Sequence, residues 1–200
     1  MRLEVFNSRV LYERSQDVVL ITGDGRSLPG DLDCFLSWGI PHEVMAIGRS
    51  ITKYPGNVQH WANVDGSDSK WWAEHLPLKN DGKMPIRHSL GDLPGYDIDW
   101  EIKDCAWVDD HVLWHGSSAL FAVFISLALG FKKIVLAGCP LDSNGHWFFP
   151  EDIKGPRWTV ESFMAWLDFA REPEAAKVRS LSGYTAQIVG EATREWASGI

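Results

Sequence analysis

The stretch that decides the fold runs from Gly116 to Asp142 and reads GSSALFAVFISLALGFKKIVLAGCPLD. It begins with a small polar turn, continues through an apolar segment of helical length that stops at Gly130, and then enters the β-branched run Lys133 to Gly138. A helix that is apolar on nearly every face has to be buried, and a short continuous apolar strand is typical of the interior of a parallel sheet. The pattern therefore predicts a buried helix followed by a central parallel strand.

Working outward from this unit, strands and helices alternate along the chain. Apolar runs at residues 17–22, 43–47 and 58–64 predict further buried strands, and helical spacing of apolar residues predicts a helix from Pro29 to Trp38. This alternation favours a single Rossmann-like α/β domain over residues 1–200, with a mostly parallel sheet flanked by helices. From about residue 77 to 110 the periodicity fails and prolines and glycines recur, which predicts an irregular insertion with short strands or a lid.

Composition narrows the class of protein. A net charge of −8 argues against extended contact with nucleic acid, although a local basic pocket for one nucleotide stays compatible with it. Three widely spaced cysteines predict neither a disulfide framework nor a zinc cluster, and the longest apolar run is too short to cross a bilayer. We therefore expect a cytoplasmic protein that does not enter a membrane, while the oligomeric state stays open.

Three small polar turns mark a candidate ligand site, because ligands of open α/β sheets bind outside the carboxyl ends of the strands. They are Gly23 to Ser27, Gly116 to Ser118 and Gly138 to Asp142. Glycines and serines at helix starts can offer amide and hydroxyl donors to a phosphate, although the same residues also form ordinary turns and helix caps. The predicted nucleotide-binding residues are Gly23, Asp24, Gly25, Ser27, Ser117, Ser118, Gly138 and Arg179.

These motifs resemble a known family. The pattern Gly-x-Gly-x-Ser at 23–27, then Ser-Ser-Ala at 117–119 before a helix, then Val-Leu-Ala-Gly at 135–138, is similar to that of Rossmann-like bacterial sialyltransferases that use a cytidine-monophosphate sugar donor. It is also similar to a related group with archaeal pterin pyrophosphokinase-like proteins, and together with residues 178–185 it looks most like uncharacterised phage and prophage proteins. The resemblance implies a nucleotide or nucleotide-sugar as partner and a glycosyltransferase-like activity.

The chain also departs from the sialyltransferase pattern. Asp24 and Arg26 stand where that family has asparagine and proline, Pro140 stands where it has an aspartate, and its catalytic Gly-His-Ser has no counterpart here. His146, in the loop beyond the Gly138 turn, is the candidate base, with Asp142 as a second candidate catalytic residue.

Two other functions remain open from the sequence. A magnesium-dependent pyrophosphokinase or other phosphoryl transferase would use Asp142 or the pair Asp109–Asp110 as metal ligands, and magnesium is expected only in that case. A non-catalytic nucleotide-binding or interaction protein would keep the fold without the chemistry. No other cofactor or metal is predicted.

Overall fold

The computed structural model describes residues 2–8, 10–63, 82–91, 95–103, 117–145 and 160–199. These residues form one eight-stranded sheet. Its strands are β1 (Arg2–Ser8), β2 (Val18–Thr22), β3 (Glu43–Ile47), β4 (His60–Asn63), β5 (Ile86–Leu90), β6 (Ile98–Lys103), β7 (Lys133–Ala137) and β8 (Val178–Ser180).

Five α-helices accompany the sheet in the described ranges. They are α1 (Leu28–Ser37), α2 (Ser118–Ala128), α3 (Val160–Phe169), α4 (Gly183–Val189) and α5 (Arg194–Ser198), and two short 3₁₀ helices cover Gly48–Thr52 and Pro173–Lys177. The predicted helix at 29–38 and the predicted strands at 17–22 and 43–47 are confirmed within a residue or two at their ends.

The strand order is β1-β6-β5-β4-β3-β2-β7-β8. Every neighbouring pair is parallel except β1 and β6 at the edge, which are antiparallel. The chain therefore builds the sheet outward from β2 through β3 to β6, and then returns to place β7 on the other side of β2. This reversal between β2 and β7 is the topological switch point of the sheet, and the predicted Rossmann-like α/β fold is confirmed.

The buried unit predicted from Gly116 to Asp142 lies at the centre of this arrangement. Strand β7 pairs with β2 over five registered residues and with β8 on its other side, so both of its edges are hydrogen-bonded, and four of its five residues are buried. Helix α2 packs on one face of the sheet with Val19, Ile21 and Ile134, and α1 packs on the other face with Leu20 and Val135. The continuous apolar run of β7 follows from burial on both faces.

The region predicted as an irregular insertion contains the short strands that were expected there. In its described parts, 82–91 and 95–103, these strands are β5 and β6, and they belong to the central sheet rather than to a separate lid. The physical reason is the alternation of Ile98 and Trp100 with polar residues, which gives β6 one face for the core. The remainder of 77–110 lies outside the described residues.

None of the described helices is both long enough and apolar enough to span a bilayer.

Candidate functional site

The predicted turns after β2 and β7 meet at the carboxyl edge of these strands, on both sides of the switch point. The turn after β2 leads into α1 on one face of the sheet, and α2 begins on the other face and runs back to β7. The amino ends of both helices therefore lie at this edge, which is where open α/β sheets bind their ligands.

Close packing of the two turns explains the glycines at this edge. The Gly23 amide donates to the Ala137 carbonyl and the Gly25 amide donates to the Gly138 carbonyl, each at 2.8 Å. A Cβ atom on Gly25 would lie 2.4 Å from the Cδ atom of Pro140, and one on Gly23 would lie 2.5 Å from the Gly138 carbonyl oxygen. These two amides are bonded within the protein, and the glycines let the turns touch; that these residues bind a nucleotide stays a prediction.

The carboxylate of Asp31, on α1, gathers the donors that the sequence assigned to a ligand. Its Oδ2 atom accepts from the Ser27 hydroxyl at 3.0 Å, from the Ser182 hydroxyl at 2.7 Å and from the Gly138 amide at 2.8 Å. Gly138 holds φ at +66°, and a Cβ there would meet the Gly23 carbonyl oxygen at 2.6 Å. Ser27 and Gly138 therefore bond an internal carboxylate that joins α1, β7 and α4, and their role as nucleotide contacts stays a prediction.

The Arg179 side chain lies away from this edge. Its Nη1 atom donates to the carbonyls of Val189 at 2.6 Å and Val178 at 2.8 Å, and its guanidinium stacks 5.3 Å from the Trp196 ring. The Lys133 ammonium lies 4.5 Å from the same ring, and Lys133 is the first residue of β7, so this cluster points to the amino edge of the sheet. Arg179 thus holds the end of α4 and lies apart from the edge at which its phosphate contact was predicted.

Ser117 and Ser118 open α2 at the carboxyl edge. Ser117 is the N-cap, since its Oγ atom accepts from the Leu120 amide at 3.3 Å, and the Trp166 indole donates to the same oxygen at 3.1 Å. Both serines are half-buried. The helix cap, which the sequence offered as the alternative to a ligand contact, is present in the structure. The bond from Trp166 to the same Ser117 oxygen links α3 to α2.

The turn after β7 contains one residue with a strained backbone conformation and a carboxylate that is hydrogen-bonded within the turn. Leu141 has φ +53°, the one non-glycine residue with positive φ among the described residues. Asp142 Oδ1 accepts from the Asn144 backbone amide at 3.0 Å, which forms an Asx turn, and Oδ2 accepts from the Asn144 Nδ2 atom at 2.8 Å. Burial raises the pKa of the Cys139 thiol, and the charges of Asp31 and Asp24 raise it further, which keeps this thiol inert.

His146 lies outside the described residues, as do Gly116 and the pair Asp109–Asp110. Within the described residues no group of three or more His, Cys, Asp or Glu side chains is arranged to hold a metal ion.

Asp24 links the first turn to the turn that follows β3. Its Oδ2 atom accepts from the Arg49 amide at 3.2 Å and lies 2.9 Å from where a Cβ of Gly48 would be. The side chains of Arg26 and Arg49 are exposed on these two adjacent turns. The carboxyl edge of β2 and β3 therefore presents the Asp24 carboxylate, which is bonded to a backbone amide, and the exposed guanidinium groups of Arg26 and Arg49.

Sequence reasoning missed Asp31, Ser182 as its partner, and the two arginines. Asp31 carried a readable signal, because it shares a helical face with Leu28, Leu32 and Phe35, and a charged residue on an apolar face needs a buried partner. It also missed a line of buried polar side chains in β3 to β6, whose members are Glu43, His60, His88 and Trp100.

Comparison with known proteins supports the fold. No protein-family model matches the chain, and no curated protein matches it in sequence. Among solved structures, it is similar to the sialyltransferase CstII from Campylobacter jejuni in complex with a substrate analogue, cytidine-5'-monophosphate. The two share 15% sequence identity with a TM-score of 0.53, and the match covers 88% of this chain and 85% of that one. At this identity the likeness shows a shared fold, so the chain has the α/β architecture of that sialyltransferase.

Proposed function

We propose that this protein binds a nucleotide or nucleotide-sugar at the carboxyl edge of β2 and β3 and acts as a glycosyltransferase-like enzyme. The observation that carries the proposal is the meeting of Asp24, Arg26 and Arg49 on adjacent turns beside the switch point. It is supported by the fold shared with a sialyltransferase that is seen in complex with cytidine monophosphate.

Side chains, rather than turn amides, would supply the charge that a phosphate needs. The amides of Gly23 and Gly25 are bonded to backbone carbonyls, and the Gly138 amide is bonded to Asp31. Arg26 and Arg49 are exposed at the same edge, and guanidinium groups bind phosphate through two parallel N–H bonds. Asp24, positioned by its bond from the Arg49 amide, offers a carboxylate acceptor for a ribose hydroxyl.

In the proposed reaction an acceptor hydroxyl attacks the donor sugar. The new bond joins the acceptor oxygen to the anomeric carbon, the bond from that carbon to the phosphate oxygen breaks, and the phosphate leaves with the nucleotide. His146 is the base that takes the hydroxyl proton in this proposal, and Asp142 precedes it by four residues in the sequence. Ser117 and Ser118, at the start of α2, lie at the same edge of the sheet.

Calorimetric titration with cytidine monophosphate, without metal, tests the binding. Arg26→Ala and Arg49→Ala should each weaken binding roughly tenfold or more, because each removes a charge-assisted contact worth about 1.5–3 kcal/mol. Arg194→Ala is the matched control, since Arg194 is also exposed but lines a cavity at the amino edge beside Val18. Equal affinity for all four proteins, or no heat with cytidine, uridine or adenine nucleotides, would refute the proposed site.

Release of cytidine monophosphate from a cytidine-monophosphate sugar tests the transfer step. We expect release without magnesium, and a loss of at least about 100-fold for His146→Ala, in keeping with the usual contribution of a general base. Turnover of ATP only with magnesium would replace this proposal with phosphoryl transfer. Nucleotide binding without any turnover would leave a binding protein and remove the enzymatic part of the proposal.

A further inference from the structure

A line of buried polar side chains crosses four strands far from the candidate site. Glu43 opens β3, His60 opens β4, His88 lies within β5 and Trp100 within β6. The contacts run from Glu43 Oε2 to His60 Nε2 at 3.2 Å, from His60 Nδ1 to His88 Nε2 at 3.0 Å, and from His88 Nδ1 to Trp100 Nε1 at 3.0 Å. No member is more than 2% exposed.

Both ends of this polar chain have fixed hydrogen-bonding roles. The Trp100 indole can only donate, so His88 Nδ1 accepts from it. At the other end Glu43 also accepts from the Tyr12 hydroxyl, the Ser15 amide and hydroxyl, and the Gln16 amide. Burial alone would raise the pKa of Glu43, but the bonds from His60, Tyr12 and Ser15 outweigh it and lower it to about 2. Glu43 is therefore a carboxylate acceptor at any ordinary pH.

Fixed ends leave a single arrangement of protons. Because His88 Nδ1 accepts, His88 Nε2 carries the hydrogen and donates to His60 Nδ1, and His60 Nε2 in turn donates to Glu43. Three contacts then hold three hydrogens, and both imidazoles are neutral. A fourth hydrogen cannot be placed without setting two N–H groups against each other in one contact.

The position of that conflict follows from the order of the contacts. A fourth hydrogen on His60, the imidazole that contacts the Glu43 carboxylate through Nε2, occupies Nδ1. His60 Nδ1 then donates to His88, which must move its own hydrogen to Nδ1, where it faces the Trp100 N–H. The broken contact therefore spans β5 and β6, a pair joined by three registered residues, and β1 is attached to the sheet through β6.

The other ionisable or charged groups around the polar chain are few. Helix α2, which packs over this face, contributes no ionisable side chain. Phe131 and Tyr12 pack edge-on against the His60 ring. The remaining groups in the described part of the chain include Arg14 over Phe131, and Glu13 and Lys83 at a cavity of about 300 Å³ beside Glu43. On the β5–β6 pair they are Arg87, Asp97, Asp99 and Glu101.

We propose that Trp100 makes the edge of the sheet acid-sensitive: mild acidification breaks the His88–Trp100 contact and loosens β6, together with β1, from β5. Burial also lowers the pKa of His88 well below its ordinary value, with a further contribution from His60. The folded state thus binds fewer protons than the opened state below about pH 6.5, so the stability of this edge is full above that pH and falls as the pH decreases.

Hydrogen exchange measured by mass spectrometry, corrected for the intrinsic pH dependence of exchange, tests the proposal. For each histidine protonated on opening, the opening constant of β6 and β1 amides should rise about tenfold per pH unit below about 6.5, relative to amides of β2 and β7. Trp100→Phe should open more readily at neutral pH but lose most of this pH dependence. Trp61→Phe is the matched control, because its buried indole donates to the Gly48 carbonyl rather than to an imidazole, so the dependence should remain.

A persistent pH dependence in Trp100→Phe, or equal pH dependence in β6 and the central strands, would overturn the proposal. Nitrogen-15 NMR of the imidazole rings in the unaltered protein gives a second readout that needs no variant. At neutral pH both histidines should carry their hydrogen on Nε2, with Nδ1 unprotonated. Any other tautomer at either ring contradicts the single proton arrangement.

Discussion

Replacing Asp31 with alanine should destabilise the fold by about 2–4 kcal/mol. The carboxylate is 7% exposed and receives the Ser27 hydroxyl, the Ser182 hydroxyl and the Gly138 amide on one oxygen. Without it the buried Gly138 amide has lost its acceptor, at a cost of about 1–3 kcal/mol. The two hydroxyls lie 2.8 Å apart and are only half-buried, so they can bond each other or water and add about 0.5–1 kcal/mol together.

Asp33→Ala is the matched control, because Asp33 lies on the exposed side of the same helix. Both variants gain the same helix propensity, roughly 0.5 kcal/mol, so their difference isolates the buried contacts. Asp31→Asn should fall between them, since its carbonyl oxygen can still accept from the Gly138 amide.

Urea unfolding followed by tryptophan fluorescence measures these differences, with unchanged m-values expected. A loss of about 3 kcal/mol corresponds to a Tm lower by roughly 6–12 °C for a chain of this size. If Asp31→Ala and Asp33→Ala unfold within about 1 kcal/mol of each other, the carboxylate does not organise this edge and the reasoning fails.

Further substitutions test the packing of the same edge. Gly25→Ala should lower the free energy of unfolding by about 2 kcal/mol or more, because its Cβ would lie 2.4 Å from Pro140. Gly30→Ala is the control: its Cβ would have no atom within 4 Å, so it should stabilise α1 by about 0.5–1 kcal/mol. Thermal unfolding measures both variants, and equal effects would contradict the steric account. Ser117→Ala should lower the free energy of unfolding by about 2 kcal/mol, since α2 loses its cap and the buried Trp166 indole loses its acceptor. Urea unfolding measures this loss. If the loss is the same in a Trp166→Phe background, the indole contact contributes nothing to stability.

The elements that local pattern predicted are those enclosed on both faces. Strands β2, β3 and β7 read as continuous apolar runs because side chains on both faces of the sheet are packed in hydrophobic cores, and α2 reads as a buried helix because it packs in one of these cores. Strand β6 was harder to predict. Its alternation of Ile98, Trp100 and Ile102 is visible, but nearby prolines and glycines indicated an irregular insertion with short strands, and its pairing with β5 and β1 depends on the whole sheet.

For the candidate site, too, the sequence predicted one part and the structure alone showed the other. The sequence located the turns at the carboxyl edge, because glycines and serines after apolar runs mark strand ends. It did not reveal which atoms in those turns are already bonded. The Gly138 amide meets an acceptor 107 residues away, and the Ser182 hydroxyl meets Ser27 across 155 residues. Such distant partners leave no periodic pattern in the chain.

By itself, then, the sequence determined the α/β class, the central strands and helices, and the edge where a ligand would bind, since these follow from local hydrophobic period and turn chemistry. Only the tertiary structure decided the partners of the polar groups. It gave the predicted phosphate donors at Gly23, Gly25 and Gly138 to the protein itself, and it aligned His60 and His88 between a carboxylate and an indole. Hydrogen bonds require both atoms within about 3 Å, a condition that only the folded sheet satisfies.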